Sequence, residues 1–170
     1  MHSGQVLEEA FARIPAVVRR TVEGLDVEAL RWQPASNTNP IGWLVWHLTR
    51  VQDDHVSELA SATQVWLEDD WASRFGLELG TIDTGYGHTP AQVATFQPRD
   101  TEVLLSYLDT VTALTRTFLD TVSDRDLDRI VDASWEPPVT MGVRLVSVIA
   151  DGMQHAGQAA YLRGLHESAT

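Results

Sequence analysis

Apolar residues recur at three- and four-residue intervals along four separate stretches of this chain, and that spacing fits helices and little else. In the first, "SGQVLEEAFARIPAVVRRTVEGL", Val6, Leu7, Ala10, Phe11, Ile14, Val17 and Val18 fall on one face. Ser3 is positioned to cap it, Pro15 to kink it and Gly24 to end it. The second, "NTNPIGWLVWHLTRVQDDHVSELAS", opens with Asn39 as a cap and Pro40 in the first helical position, then runs to about residue 60. A third, in "RDTEVLLSYLDTVTALTRTFLDTVSD", turns Val103, Leu104, Tyr107, Leu108, Val111, Leu114, Phe118 and Leu119 to the core. The fourth is expected from about Val143 to His166, with Thr140 as a cap. No strand pattern of useful length is present, apart from short extended pieces near Trp135.

Four helices of about 20 residues need partners for their apolar faces, and packing them against one another is the economical solution. The connections are unequal. Residues 62–97, with the Gly-rich "SRFGLELGTIDTGYGHTP", read as one long irregular crossover, the kind of segment that contributes to binding sites. The expected architecture is an all-α four-helix bundle with a long crossover connection, as a single domain over residues 1–170.

Composition narrows the function. The chain has no cysteine, which removes disulfides, thiolate metal sites and any thiol nucleophile of its own. All 12 basic residues are Arg, so a Lys Schiff base is excluded as well. A net charge of −12 repels phosphate backbones and anionic lipid, which argues against nucleic-acid and membrane partners. No apolar run approaches the roughly 18 residues of a membrane span, and the N-terminus carries no signal-peptide pattern, so a cytoplasmic location is expected.

The polar residues that do not fit a plain bundle are few. In "DGMQHAGQAAYLRGL", Asp151 and His155 stand one helical turn apart, among small and apolar residues. His47 sits mid-helix between Trp43, Leu44, Trp46 and Leu48. Spacing alone leaves two readings open. Either Asp151 and His155 satisfy each other, or they join His47 around a metal ion. The other histidines read as blander. His2 is terminal, His166 complements the last helix's dipole and His88 lies in the Gly/Pro-rich loop. His55, eight residues past His47, turns about 80° away on an ideal helix, and Asp54 lies about 10 Å along the axis.

"NPIGWLVWHLTRVQDDH" and "DGMQHAGQAAYLRGL" together resemble the DinB-like (YfiT-like) metalloenzyme superfamily, in particular the branch that includes mycothiol-dependent maleylpyruvate isomerase. The resemblance extends over nearly the whole chain, and its specific parts are "WHLTR" and the H-x-G-Q-x-x-x-L-R of the last helix. It implies a divalent metal, zinc with nickel or iron as alternatives, held by His47, Asp151 and His155. Asp151 stands where the commonest pattern has histidine; the isomerase branch is similar in using a carboxylate there. The resemblance further implies a low-molecular-weight thiol, mycothiol, as cofactor, a small-molecule electrophile as substrate, and a homodimer. Arg50 and Arg163, each near a ligand-bearing turn, are candidate contacts for the polar remainder of the thiol. Trp43, Trp46 and Tyr86 are candidate walls for the electrophile. Metal-assisted hydrolysis with Asp54 as base, and a non-catalytic metal-binding or stress-associated bundle, are the competing expectations.

Overall fold

The computed structural model describes residues 2–68, 70–77 and 82–169. Four long helices dominate: α1 (Ser3–Val22), α3 (Ile41–Ala60), α7 (Thr101–Leu119) and α8 (Met141–Ala169). Each of α1 and α3 packs chiefly against both α7 and α8, giving the cyclic order α1, α7, α3, α8 of a four-helix bundle. The core runs the length of this arrangement, with Ile14, Val18, Leu44, Trp46, Leu108 and Leu145 fully buried. Where α8 crosses α1 the approach is close. A Cβ on Gly152 would come within 2.7 Å of Ile14 Cδ1, so a larger residue would make the buried Ile14 side chain shift.

The helix starts differ from the sequence expectation by one residue. His2, not Ser3, caps α1, its backbone N–H donating to Gln5 Oε1 at 3.1 Å. Pro40, not Asn39, caps α3, and its carbonyl accepts the first helical bond from Leu44. Val6, placed on the core face by its spacing, is half exposed. The last helix begins two residues before Val143, with Thr140 Oγ1 accepting from the Val143 N–H at 3.3 Å as a cap should.

The connections carry more structure than their sequences suggest. A one-turn helix α2 (Val27–Arg31) follows α1, capped by Asp26. The crossover holds α4 (Val65–Glu68), α5 (Trp71–Phe75) and α6 (Pro90–Thr95), while residues 69 and 78–81 of it lie outside the described residues. Between α7 and α8, β1 (Ile130–Asp132) and β2 (Val139–Thr140) pair antiparallel, which places the expected extended pieces on either side of Trp135.

One buried cluster bolts the crossover to the bundle. Asp53 on α3 is wholly buried and accepts five hydrogen bonds. They come from the Val65 and Trp66 N–H groups at the start of α4, from the Ser57 and Tyr107 hydroxyls and from Arg50. Arg50, equally buried, also donates to Tyr107, Gln64 and the Asp83 carbonyl. Every charged atom is paired, which is the condition for tolerating an ion pair away from water. Among the described residues no helix is long and apolar enough to cross a membrane.

Candidate metal centre

His47 on α3 and Asp151 and His155 on α8 converge. One ligand atom from each lies within 4.8 Å of the others. The i,i+4 spacing puts Asp151 and His155 on one face of α8, with Asp151 Oδ1 3.3 Å from His155 Nε2. The two imidazoles meet edge to face at 4.8 Å between ring centres.

Both rings are held from behind. His47 Nδ1 donates to the Thr84 carbonyl at 2.6 Å; a carbonyl only accepts, so the proton is on Nδ1 and Nε2 keeps its lone pair. His47 also stacks on Trp43 at 4.6 Å. His155 Nδ1 faces Gln158 Oε1 at 2.8 Å, so Nε2 is the nitrogen that faces Asp151, with Oδ1 3.3 Å away. A hydrogen bond that fixes the far nitrogen is the usual support of a metal-binding histidine. Asp151 supplies the sharpest signal: its Oδ2 is buried with no hydrogen-bond partner. A buried carboxylate oxygen left unpaired is costly, and a cation between the three side chains removes the deficit. The donor set of two neutral imidazoles and one carboxylate fits a divalent ion with positions left open.

The protonation tendencies of the two rings diverge. Burial pushes the His47 pKa below its ordinary 6.5, outweighing the Thr84 hydrogen bond. The hydrogen bond to Asp151 raises that of His155, outweighing burial.

A cavity of about 360 Å³ opens on this centre, lined by His47, Val51, Asp54, His55, Thr84, Tyr86, Ser147, Val148 and Asp151. Its loop side is positioned by the buried cluster, because Arg50 holds the Asp83 carbonyl next to Thr84. His88 completes the brace: its Nδ1 accepts from the Trp43 indole and its Nε2 donates to the Asp83 carboxylate. Gly85 is required at its place. Its φ is +85°, and a Cβ there would lie 2.8 Å from Trp46, 2.9 Å from Trp43 and 3.1 Å from His47 Nδ1.

Comparison with known families matches residues 6–168 to the mycothiol S-transferase model. The chain belongs to the mycothiol S-transferase family, within the DinB-like fold. A solved structure of a conserved protein from Enterococcus faecalis is 34% identical, with 96% of each chain covered and a TM-score of 0.89. No curated protein matches the chain.

Within this family member, several residues singled out from sequence take other positions. Arg50 is not at the cavity mouth; it is fully buried, and its guanidinium is spent on the crossover. Arg163 NH1 donates to the Arg20, Thr21 and Glu23 carbonyls, closing the C-terminus of α1, and its Nε pairs with Glu167. Neither lines the cavity. Of the three aromatic residues expected as walls, only Tyr86 lines it; Trp43 and Trp46 are buried behind His47. Asp54 does line it, accepting from Gln64 Nε2 at 2.7 Å. His55 is the residue that spacing misjudged: it lies on the cavity wall together with His47. The signal for it was Arg144, one turn into the last helix and facing it across the bundle.

Proposed function

We propose that this chain transfers a low-molecular-weight thiol, mycothiol, to an electrophilic small molecule at the His47/Asp151/His155 centre. The observation that carries the reading is the unpaired buried oxygen of Asp151, on a carboxylate that converges with two histidines whose far nitrogens are fixed, beside an open cavity. Membership of the mycothiol S-transferase family supports the choice of thiol. His47, Asp151 and His155 would hold a divalent ion, zinc in our reading, with nickel or iron as the alternatives. Such an ion supplies Lewis acidity that lowers the pKa of a thiol near it.

The chain's own residues account for the rest. With no cysteine, it offers no thiol of its own, so the sulfur nucleophile has to enter from outside. Thr84 and Trp43 keep His47 from turning, and Gln158 does the same for His155. Val51, Val148 and Tyr86 give the electrophile apolar surface close to the three ligands. Two copies of the chain acting as a homodimer, and a cytoplasmic location, belong to the same proposal. The half-exposed Val6, Val143 and Val146 leave apolar surface for pairing.

The test is elemental analysis of the purified protein, followed by conjugation assays with mycothiol, bacillithiol and glutathione. Stoichiometric zinc and turnover that needs both metal and mycothiol are expected. Turnover that persists without any thiol would replace this reading with hydrolysis, for which Asp54 on the cavity wall is the base. A light-scattering mass near 18.9 kDa would overturn the dimer.

A further inference from the structure

His55 is the cavity residue that neither the three ligands nor their supports use. It stands on α3 two turns beyond His47, and it meets Arg144 of α8. Because Asp151 and His155 face His47 while Arg144 faces His55, α3 and α8 run antiparallel, and the cavity is the gap between these two contacts.

The contact with Arg144 fixes the state of the ring. Arg144 NH1 lies 3.1 Å from His55 Nδ1, and a guanidinium can only donate. His55 Nδ1 is therefore the accepting nitrogen, and the proton of the neutral ring is on Nε2. Burial first, and then the Arg144 charge, push the pKa of His55 below 6.5, in keeping with a neutral ring. Arg144 is fixed in turn, its NH2 donating to Asp132 Oδ2 of β1 at 3.1 Å. Asp132 is held by the Ser134 hydroxyl and N–H. The short hairpin thus orients one N–H bond on the cavity wall. Among the described residues, His55 Nε2 has no hydrogen-bond partner, although its ring lines the cavity.

The other lining groups restrict what that N–H can meet. Asp54 and Asp151 are carboxylates, and among the described residues no arginine lines the cavity. With Asp151 engaged at the centre, an anionic substrate would still face the Asp54 charge on the same wall, whereas a neutral polar acceptor would not.

We infer that His55 Nε2–H is the hydrogen-bond donor for the carbonyl oxygen of a neutral, carbonyl-conjugated electrophile. The inference rests on the thiol-transfer reading above and names the substrate class for it. The thiol loses its proton to solvent, and a sulfur lone pair forms the S–C bond at the β-carbon. The C=C pair moves toward the carbonyl, so negative charge grows on the oxygen. His55 stabilises that oxygen through its N–H and keeps its own proton, and water then protonates the α-carbon. No group leaves and nothing is oxidised. A donor fixed before the charge develops is worth about 10²–10³-fold in rate in comparable sites.

Two probes with mycothiol separate this role from a structural one. 2-Cyclohexenone develops an oxyanion, whereas benzyl bromide expels bromide and develops none. His55→Phe is expected to lower the ratio of kcat/KM for cyclohexenone over benzyl bromide by about 10²-fold. His55→Gln, which keeps an amide N–H, should recover part of that ratio and guards against a folding failure in the Phe variant. An unchanged ratio in both variants would overturn the inference. A binding measurement stands apart from turnover. Cyclohexanone, the saturated ketone, should shift the His55 Nε2 nitrogen resonance of the metal-loaded protein, and Arg144→Met should abolish the Nε2–H signature. If the wild type conjugates neither probe yet cyclohexanone shifts His55, the thiol reading fails while the donor assignment stands. If cyclohexanone leaves His55 unmoved, the donor assignment fails whatever the turnover.

Discussion

At the scale of single residues the three proposed ligands do different work. His47 brings the only donor from α3, so His47→Ala should leave α8 alone with two ligands and abolish metal retention through gel filtration. Equal metal content in this variant and the wild type would defeat the assignment. His88→Ala acts one step further out, through Trp43 and Asp83, and should weaken affinity by about 10-fold without abolishing it. The two ligand histidines also differ in acid. In the metal-free chain the folded pKa of His155 is raised, so its contribution to stability is present below 6.5 and is lost as pH rises through the raised value. That of His47 is lowered, so its contribution is present above 6.5 and is lost as pH falls through the lowered value. As pH falls, an NMR titration of the metal-free protein should therefore protonate His155 before His47. In the metal-loaded protein neither ring should titrate until the metal leaves, because protons and metal compete for the same lone pairs. Identical midpoints for the two rings in the metal-free form would contradict the geometry.

At the scale of elements, the amphipathic spacing identifies α1, α3, α7 and α8, since each has to bury a face. It also supplies His47, Asp151 and His155, because polar residues on a buried face stand out. It could not find the place of Arg50. From Ile41 to Arg50 every residue of α3 is buried, because the crossover covers the side that a bundle alone would leave to water. On such a helix no face is solvent, and an arginine's position cannot be inferred from its angle. The three short helices of the crossover were likewise illegible. Four to six residues are too few for a periodic signal, and α4 depends on an acid, Asp53, twelve residues away in sequence. That dependence is testable. Asp53→Ala leaves Arg50 buried and uncompensated and removes the cap of α4, so it should cost about 3–5 kcal/mol in denaturant unfolding. The same change should loosen the Asp83–Thr84 segment and weaken metal binding, although Asp53 touches no ligand. A loss under 1 kcal/mol with unaltered metal affinity would show that the crossover is held by its apolar contacts alone.

At the scale of the whole molecule, the centre sits on a bundle that does not depend on it. The buried apolar residues that tie the helices together, among them Ile14, Val18, Leu108 and Leu145, include none of the three ligands. The three proposed ligands come from two helices, α3 and α8, and those two already pack directly against each other. A metal here stabilises by binding the folded state, not by creating it, which is the reverse of a zinc finger. Free zinc at about 100 times Kd adds roughly 2.7 kcal/mol by mass action. For a chain of this length each kcal/mol moves Tm by about 2–4 °C, so chelation should lower Tm by roughly 5–10 °C. Helical ellipticity at room temperature should be unaltered, thiol conjugation should stop, and restoring zinc should recover both Tm and turnover. Collapse of the far-UV signal on chelation would make the metal structural and remove the case for an open catalytic position. Full turnover after exhaustive chelation, with metal absence verified by elemental analysis, would mean that His47, Asp151 and His155 act through their own acid–base chemistry.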